Sequence, residues 1–192
     1  MSDQGPLFFF KDDDRLTGWL CQWYWAPFEA EVDGQVLEFK HAEQYMMYRK
    51  ALTFSDYATA KEIMLNTSPR TCKALGRATQ GFDEKVWDKC KLQVVEEGSY
   101  LKFTQGVGEE AEELRQNLLA TGKRELVEAS PFDRVWGIGF SQDQCKKGNK
   151  WIAGRDKWGQ NLLGKALGAA RERIREEEEA RMANARAVQA ET

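Results

Sequence analysis

The sequence predicts a mainly α-helical domain with a small β-hairpin near its N-terminus. Apolar residues recur at helical spacing through most of the chain after Lys40, and an Asp33-Gly34 pair lies between two short extended runs. Composition sets the scale: 192 residues, 42% hydrophobic and 31% charged, hold apolar material for one core and too little length for two full domains. The reading is one domain over residues 1–175, followed by a charged, fraying helical tail over 176–192.

The hairpin pairs 28–32 with 35–39, because Asp-Gly supplies the positive-φ positions that a two-residue turn needs. From about Lys40 the period changes: Ala42, Tyr45, Met46, Arg49 and Leu52 share one helix side, with Glu43, Met47 and Lys50 in the adjacent stripe. Ser55 or Asp56 caps a second helix that runs through Met64. A third follows Ser68 from Pro69 to about Gly76, since proline suits a first turn and the residue before it avoids the helical region. Phe82 to Tyr100 reads as a helix capped by Asp83, with Val86, Cys90, Val94 and Tyr100 inward and Gly98 as a weak point. Glu109 to Leu119 is acidic at its start and closed by Thr121-Gly122. Glu125 to Ala129 is a short extended piece. Residues 132–160 form a loop-rich stretch dense in Trp and Gly, a composition that in a compact domain points to function. The last helix begins near Asn161, burying Leu163, Ala166, Leu167, Ala170 and Ile174, with Gly164 and Gly168 allowing a close neighbour.

Composition excludes several function classes. A net charge of -3 gives no general basic field for a nucleic-acid backbone, though a local phosphate pocket is compatible with it. No apolar run approaches a bilayer span and no basic leader precedes Leu7, so a cytoplasmic protein, or a nuclear one, without membrane contact is expected. Four scattered cysteines fit free thiols in a reducing compartment. One histidine, His41, and no clustered thiols leave no usual zinc set and no serine triad. No metal or cofactor is expected.

Three groups of residues can carry chemistry. Glu43 and Lys50, seven apart, return to one helix face about 10 Å apart along the axis. That gap suits two groups flanking a bound sugar; ordinary surface charges are the alternative. Glu125, Glu128 and Asp133 flank Ser130-Pro131 just before Trp136-Gly137-Ile138-Gly139. A carboxyl beside aromatic walls has its pKa raised by desolvation and serves as a general acid or base; turn capping by Asp133 or Ser130 is the alternative. Gly137 and Gly139 are not a dinucleotide fingerprint, because Gln142 breaks the pattern and no helical run follows; they let backbone amides approach an anion or a ring. Trp158-Gly159-Gln160-Asn161 opens the last helix, whose amides offer a phosphate site unless Asn161 is only its cap.

Taken in order, these segments resemble the YbiA/NADAR family over roughly Gly18 to Arg171. The resemblance rests on Trp25-Ala26-Pro27-Phe28, Glu43-Gln44-Tyr45 with Lys50, Gly76-Arg77, Trp87, Lys102-Phe103, Glu128-Ala129-Ser130-Pro131, Asp133 with Trp136-Gly137-Ile138-Gly139, and Gly159-Gln160-Asn161-Leu162-Leu163-Gly164. The chain departs from the family pattern at Gln44, where the family has histidine, at Leu20-Cys21-Gln22-Trp23 in place of Leu-Ser-Asn-Phe, and in the insert from Ser141 to Lys157. The resemblance implies a compact YbiA-like helical fold and an N-glycosidase. Its substrate would be an ADP-ribosyl or ribosyl-phosphate compound: ADP-ribosylated guanine, including ADP-ribosylated nucleic acid, or a riboflavin-pathway ribosylamino intermediate. It further implies Lys50 as a Schiff-base nucleophile, Glu43 or Asp133 moving protons, Trp87 and Trp136 stacking on a base, and Arg77 or Lys102 on phosphate. Glu128, Gly137, Gly139 and Asn161 would complete the binding surface. Trp87 also fits plain core packing. The alternative within the same family is a non-catalytic ADP-ribose or NAD-binding module, suggested by Gln44.

Overall fold

Local signals and tertiary packing agree over most of the chain in the computed structural model, which describes residues 5–145 and 154–190. The hairpin forms as expected from β2 (Phe28–Val32) and β3 (Gln35–Phe39), antiparallel, with Asp33 and Gly34 both at positive φ. Its inner residues, Phe28, Ala30, Val32 and Phe39, are buried, and the rings of Phe28 and Phe39 pack on Tyr45 of α1 (Ala42–Thr53).

Each early helix has a side-chain cap that satisfies one of its orphan amides. His41 Nδ1 accepts from Gln44 N at the start of α1. Asp56, not Ser55, caps α2 (Tyr57–Met64), and its second oxygen accepts from Gln80 N at 2.8 Å, tying that helix to the loop after α3 (Pro69–Arg77). Asp83 caps α4 (Glu84–Thr104), and Gly122, at φ 63°, follows the end of α5 (Ala111–Ala120).

Three features of α4 and the last helix, α7 (Leu162–Ala190), correct the sequence reading. Gly98 does not break α4, which runs on to Thr104; a Cβ there would stand 2.7 Å from the Tyr45 ring, so the glycine is where α1 and α4 touch. Val86 faces solvent at 43% exposure rather than the core, because Trp87, its neighbour, takes the inward position. Gly164 is a contact point, its would-be Cβ 2.0 Å from the Leu126 carbonyl oxygen, whereas nothing lies within 4 Å of the same position at Gly168. The predicted buried stripe of α7, from Leu163 to Ile174, is in place. The helix then continues to Ala190, where its first turns past the core are held by Tyr100 donating to Glu177 and by Arg115 pairing with Glu178.

One strand was not foreseen. Residues Leu7–Phe9 form β1, which pairs in parallel with β4 (Leu126–Glu128) in the register Leu7 to Leu126 and Phe9 to Glu128. Successive side chains of a strand face opposite ways. Phe9 and Leu126 therefore enter the main core, while Phe8 and Val127 join a smaller cluster with Ile138, Ala129 and Cys145. The stretch 132–160 is mostly irregular where described, with a single-turn α6 (Gln142–Cys145) and a short 3-10 turn at Arg155–Lys157. Residues 146–153 of the insert from Ser141 to Lys157 lie outside the described residues.

Candidate active site

A cleft of about 610 Å³ opens where α1, α3, the start of α4, the ends of β1 and β4 and the loop after β4 meet. From α1 come Glu43, Met46, Met47 and Lys50, so the second stripe of that helix is a cavity wall and not a solvated face. Trp87, Glu128, Asp133, Trp136 and Arg77 join them from four other segments. The acid, the amine and the aromatic residues singled out in the sequence are thus brought together.

Glu43 and Lys50 lie buried in the wall of this cleft, while Arg77 stands at its exposed edge. Lys50 is 8% exposed, and its ammonium lies 4.1 Å from the Phe82 ring centroid and 6.0 Å from that of Trp87. Burial, reinforced by the like charge of Arg77, pushes its pKa down; the ring faces, which favour the cation, do not offset that. Glu43 is 3% exposed, and burial pushes its pKa up. Lys73, a hydrogen bond from the Trp23 side chain and Arg77 pull it the other way, while Asp133 adds to the rise. Glu128 is pushed up to about 8, first by burial and then by the charges of Asp133 and Glu43, with Lys73 opposing. An amine held toward its neutral form beside carboxyls held toward their acid forms is the reverse of an ion pair, and it suits nucleophilic attack coupled to proton transfer.

Local structure explains why these groups stay where they are. The Glu43 amide donates to the Gln22 carbonyl, fixing the 21–23 loop against α1. Glu128 is held through its backbone: its amide donates to Asn161 Oδ1 at 3.0 Å, its carbonyl accepts from Ile138 N, and the next amide, of Ala129, donates to Phe9 O. Asp133 Oδ1 accepts from the amides of Val135 and Trp136, each at 2.8 Å, which sets the turn that delivers Trp136 to the cleft.

Five sequence-predicted residues stand elsewhere. Lys102 is 2% exposed and donates to the carbonyls of Trp19 and Cys21, with its pKa lowered to about 8 by burial; it holds the loop behind the cleft and presents no donor to a ligand. Gly137 packs against the Glu128 carbonyl, and Gly139, at φ 74°, lies under Arg134. Asn161 is not a phosphate site. The amides of Asn161, Leu162 and Leu163 are already donated to the carbonyls of Gly137, Val135 and Trp136, and the Asn161 side chain bridges Glu128 N and Leu126 O. Glu125 pairs with Arg155.

Sequence reasoning passed over Gln22, Trp23 and Lys73, which also line the cleft. A signal for Lys73 existed: it sits four residues before Arg77 on α3, a helix without a single acidic residue, so both cations share one face. Gln44, the departure from the family histidine, does not reach the cavity. Its side chain accepts from Lys40 N and donates to the carbonyls of Ile63 and Asn66.

Comparison with known proteins places these residues in context. The model of the NADAR domain matches residues 8–175. An N-glycosidase of Acanthamoeba polyphaga mimivirus is 41% identical over 154 residues, 79% of this chain and 84% of that protein. An N-glycosidase of Nostoc punctiforme is 32% identical over 133 residues, 69% of this chain and 72% of its own length. The NMR structure of the Escherichia coli protein YbiA superposes with a TM-score of 0.66 at 28% identity, covering 91% of this chain and 87% of that one. Among the described residues no helix is long and apolar enough to cross a membrane, and no group of three or more His, Cys, Asp or Glu side chains is placed to hold a metal ion.

Proposed function

Because the chain belongs to the NADAR domain family, we propose that its cleft cleaves the N-glycosidic bond of a ribosyl-phosphate or ADP-ribosyl compound. The chain is an N-glycosidase, and its ligand is a small glycosylated molecule. The observation that carries the finer reading is the meeting of Lys50, Glu43 and Asp133, distant along the chain, in one aromatic-walled cavity.

The proposed chemistry uses each group for what its surroundings favour. Lys50, as the free amine, attacks the anomeric carbon, and the electron pair of the C1′–N bond leaves with the base nitrogen, which takes up a proton. Asp133, or Glu43 in its ionised form, removes the proton that the attacking amine loses. The sugar ring opens to an iminium on Lys50, water adds at C1′, and the amine is released. Trp87 and Trp136 offer faces to the base, and Arg77, with Lys73 four residues before it, takes the phosphate. Candidate substrates are ADP-ribosylated guanine, free or in DNA, and a ribosylamino intermediate of the riboflavin pathway.

Incubating the protein with each substrate and following release of the base tests the reading. Turnover of at least one is expected, with loss of turnover in Lys50→Ala. Borohydride added during turnover is expected to leave a sugar adduct on Lys50, seen by peptide mass spectrometry. A folded wild-type protein that binds both compounds and cleaves neither overturns the proposal in favour of a non-catalytic ADP-ribose or NAD binder. The feature favouring that alternative is Gln44, whose side chain faces away from the cleft.

A further inference from the structure

Among the described residues, four buried side-chain polar atoms have no hydrogen-bond partner: Gln22 Oε1, Glu43 Oε1, Glu128 Oε2 and Arg115 Nε. Three of the four belong to residues lining the cleft, and all three are oxygens. Buried oxygens without partners are costly, so such a cluster marks where a ligand completes the bonding, or where a carboxyl carries its own proton. Two of the three are carboxyl oxygens, and two carboxyls sharing a dry site do not both ionise.

The surroundings divide the pair. Glu43 already accepts from the Trp23 side chain and feels both Lys73 and Arg77, all of which favour its anion. Glu128 has weaker cationic support: Lys73 alone opposes burial, Asp133 and Glu43. Its backbone is also the better anchored, clamped by Asn161, Ile138 and the β1 strand, so its free oxygen is aimed from a rigid base.

We propose that Glu128 is the catalytic acid of this cleft, giving its proton to the base nitrogen as the C1′–N bond breaks. The inference rests on the N-glycosidase reading above and deepens it. The bond's electron pair passes to the nitrogen, the nitrogen takes the Glu128 proton, and the carboxylate regains one, through Asp133 or Glu43, as the amine adduct at C1′ gives up its own. Net consumption is one water and no other reactant. The substrate class that follows is a compound whose base leaves through a neutral nitrogen that must be protonated, in contrast to a pyridinium, which departs neutral without one.

That contrast supplies the test. Glu128→Gln keeps the size and the backbone clamp and removes the proton. The wild type and this variant are compared on the ribosylamino phosphate and on nicotinamide riboside 5′-phosphate. A general acid contributes about 10²- to 10⁴-fold; the variant is expected to lose that much kcat on the ribosylamino compound and at least about tenfold less on the pyridinium. The wild-type pH profile gives a second reading that requires no mutant. The charges acting on Glu128 are those of Asp133 in the loop after β4, Lys73 on α3 and Glu43 on α1, and the cleft is lined besides by Lys50 on α1, Arg77 on α3, and Lys11 and Asp12 after β1. With the ribosylamino substrate kcat/KM, which follows ionisations of the free enzyme, should fall as pH rises through about 8, and with the pyridinium that limb should be absent. Equal losses on the two substrates, or the same alkaline limb for both, overturn the assignment while leaving the N-glycosidase reading intact. A wild type that cleaves neither of these compounds nor ADP-ribosylated guanine overturns both together.

Discussion

Lys50 faces two aromatic rings where a lysine at the end of a helix would ordinarily face water, and the sequence carried a trace of that fate. The i, i+7 spacing from Glu43 put both side chains on one stripe, and the apolar Met47 between them favoured an inward face. Glu128, Asp133 and Trp136 were legible as a carboxyl-aromatic cluster around a proline break. Lys102 was not legible. A lysine late in a helix reads as solvent-facing, and nothing nearby announces that the carbonyls of Trp19 and Cys21 will take its ammonium. Asn161 was read as a phosphate or cap residue, yet its side chain joins β4 to α7 across a gap that only the folded chain closes. Asn161→Ala removes both bonds and leaves the Glu128 amide and the Leu126 carbonyl without partners. The loss should be about 1–3 kcal/mol of stability. It should also lower kcat more than it raises KM, since Asn161 positions Glu128 and does not line the cleft; melting curves and steady-state kinetics measured together check this.

At the scale of elements, local chemistry located every long helix. The caps at Asp56, Ser68 and Asp83 are side chains acting on amides two or three residues away, so they leave a mark in the sequence. Strand β1 left none that a local reading finds, because a parallel partner lies far along the chain and no turn joins the two. The same limit applies to glycines in helices. Gly164 and Gly168 look alike in the sequence, but only the first meets a backbone carbonyl. Gly164→Ala should therefore cost about 1–3 kcal/mol by forcing α7 off β4. Gly168→Ala should be neutral or stabilising by up to about 1 kcal/mol, through helix propensity alone. Paired denaturant melts of the two variants decide the point, and equal effects would count against the packing described for Gly164.

For the whole molecule, the buried ionisable groups set how stability answers to pH. The sign follows from which state binds more protons. His41 is lowered from 6.5 to about 4 by burial, so folding gains stability as pH rises through that range, and the gain is complete above 6.5. Lys102 is lowered from 10.5 to about 8, so its own gain begins only above 8. Glu128 is raised from 4.5 to about 8; the folded state holds a proton that the unfolded state has released, and stability is lost as pH rises toward 8. Glu43 acts in the same direction. Between pH 6.5 and 8 Glu128 acts without opposition from His41 or Lys102, and the midpoint of thermal unfolding should fall with pH. Glu128→Gln should flatten that slope. A midpoint that rises across this window would mean the acids are ionised in the folded protein.

The pairing of β1 with β4, and the seating of α7 on the loop behind Asp133, also govern when the cleft comes into being. A nascent chain exports Lys50 and Glu43 early, but the Glu128 amide lacks its Asn161 partner, and the cleft wall lacks Leu163, until both residues have cleared the ribosome. Any product that stalls before that point carries the amine on an unfinished scaffold. Competence thus waits on the start of the last helix.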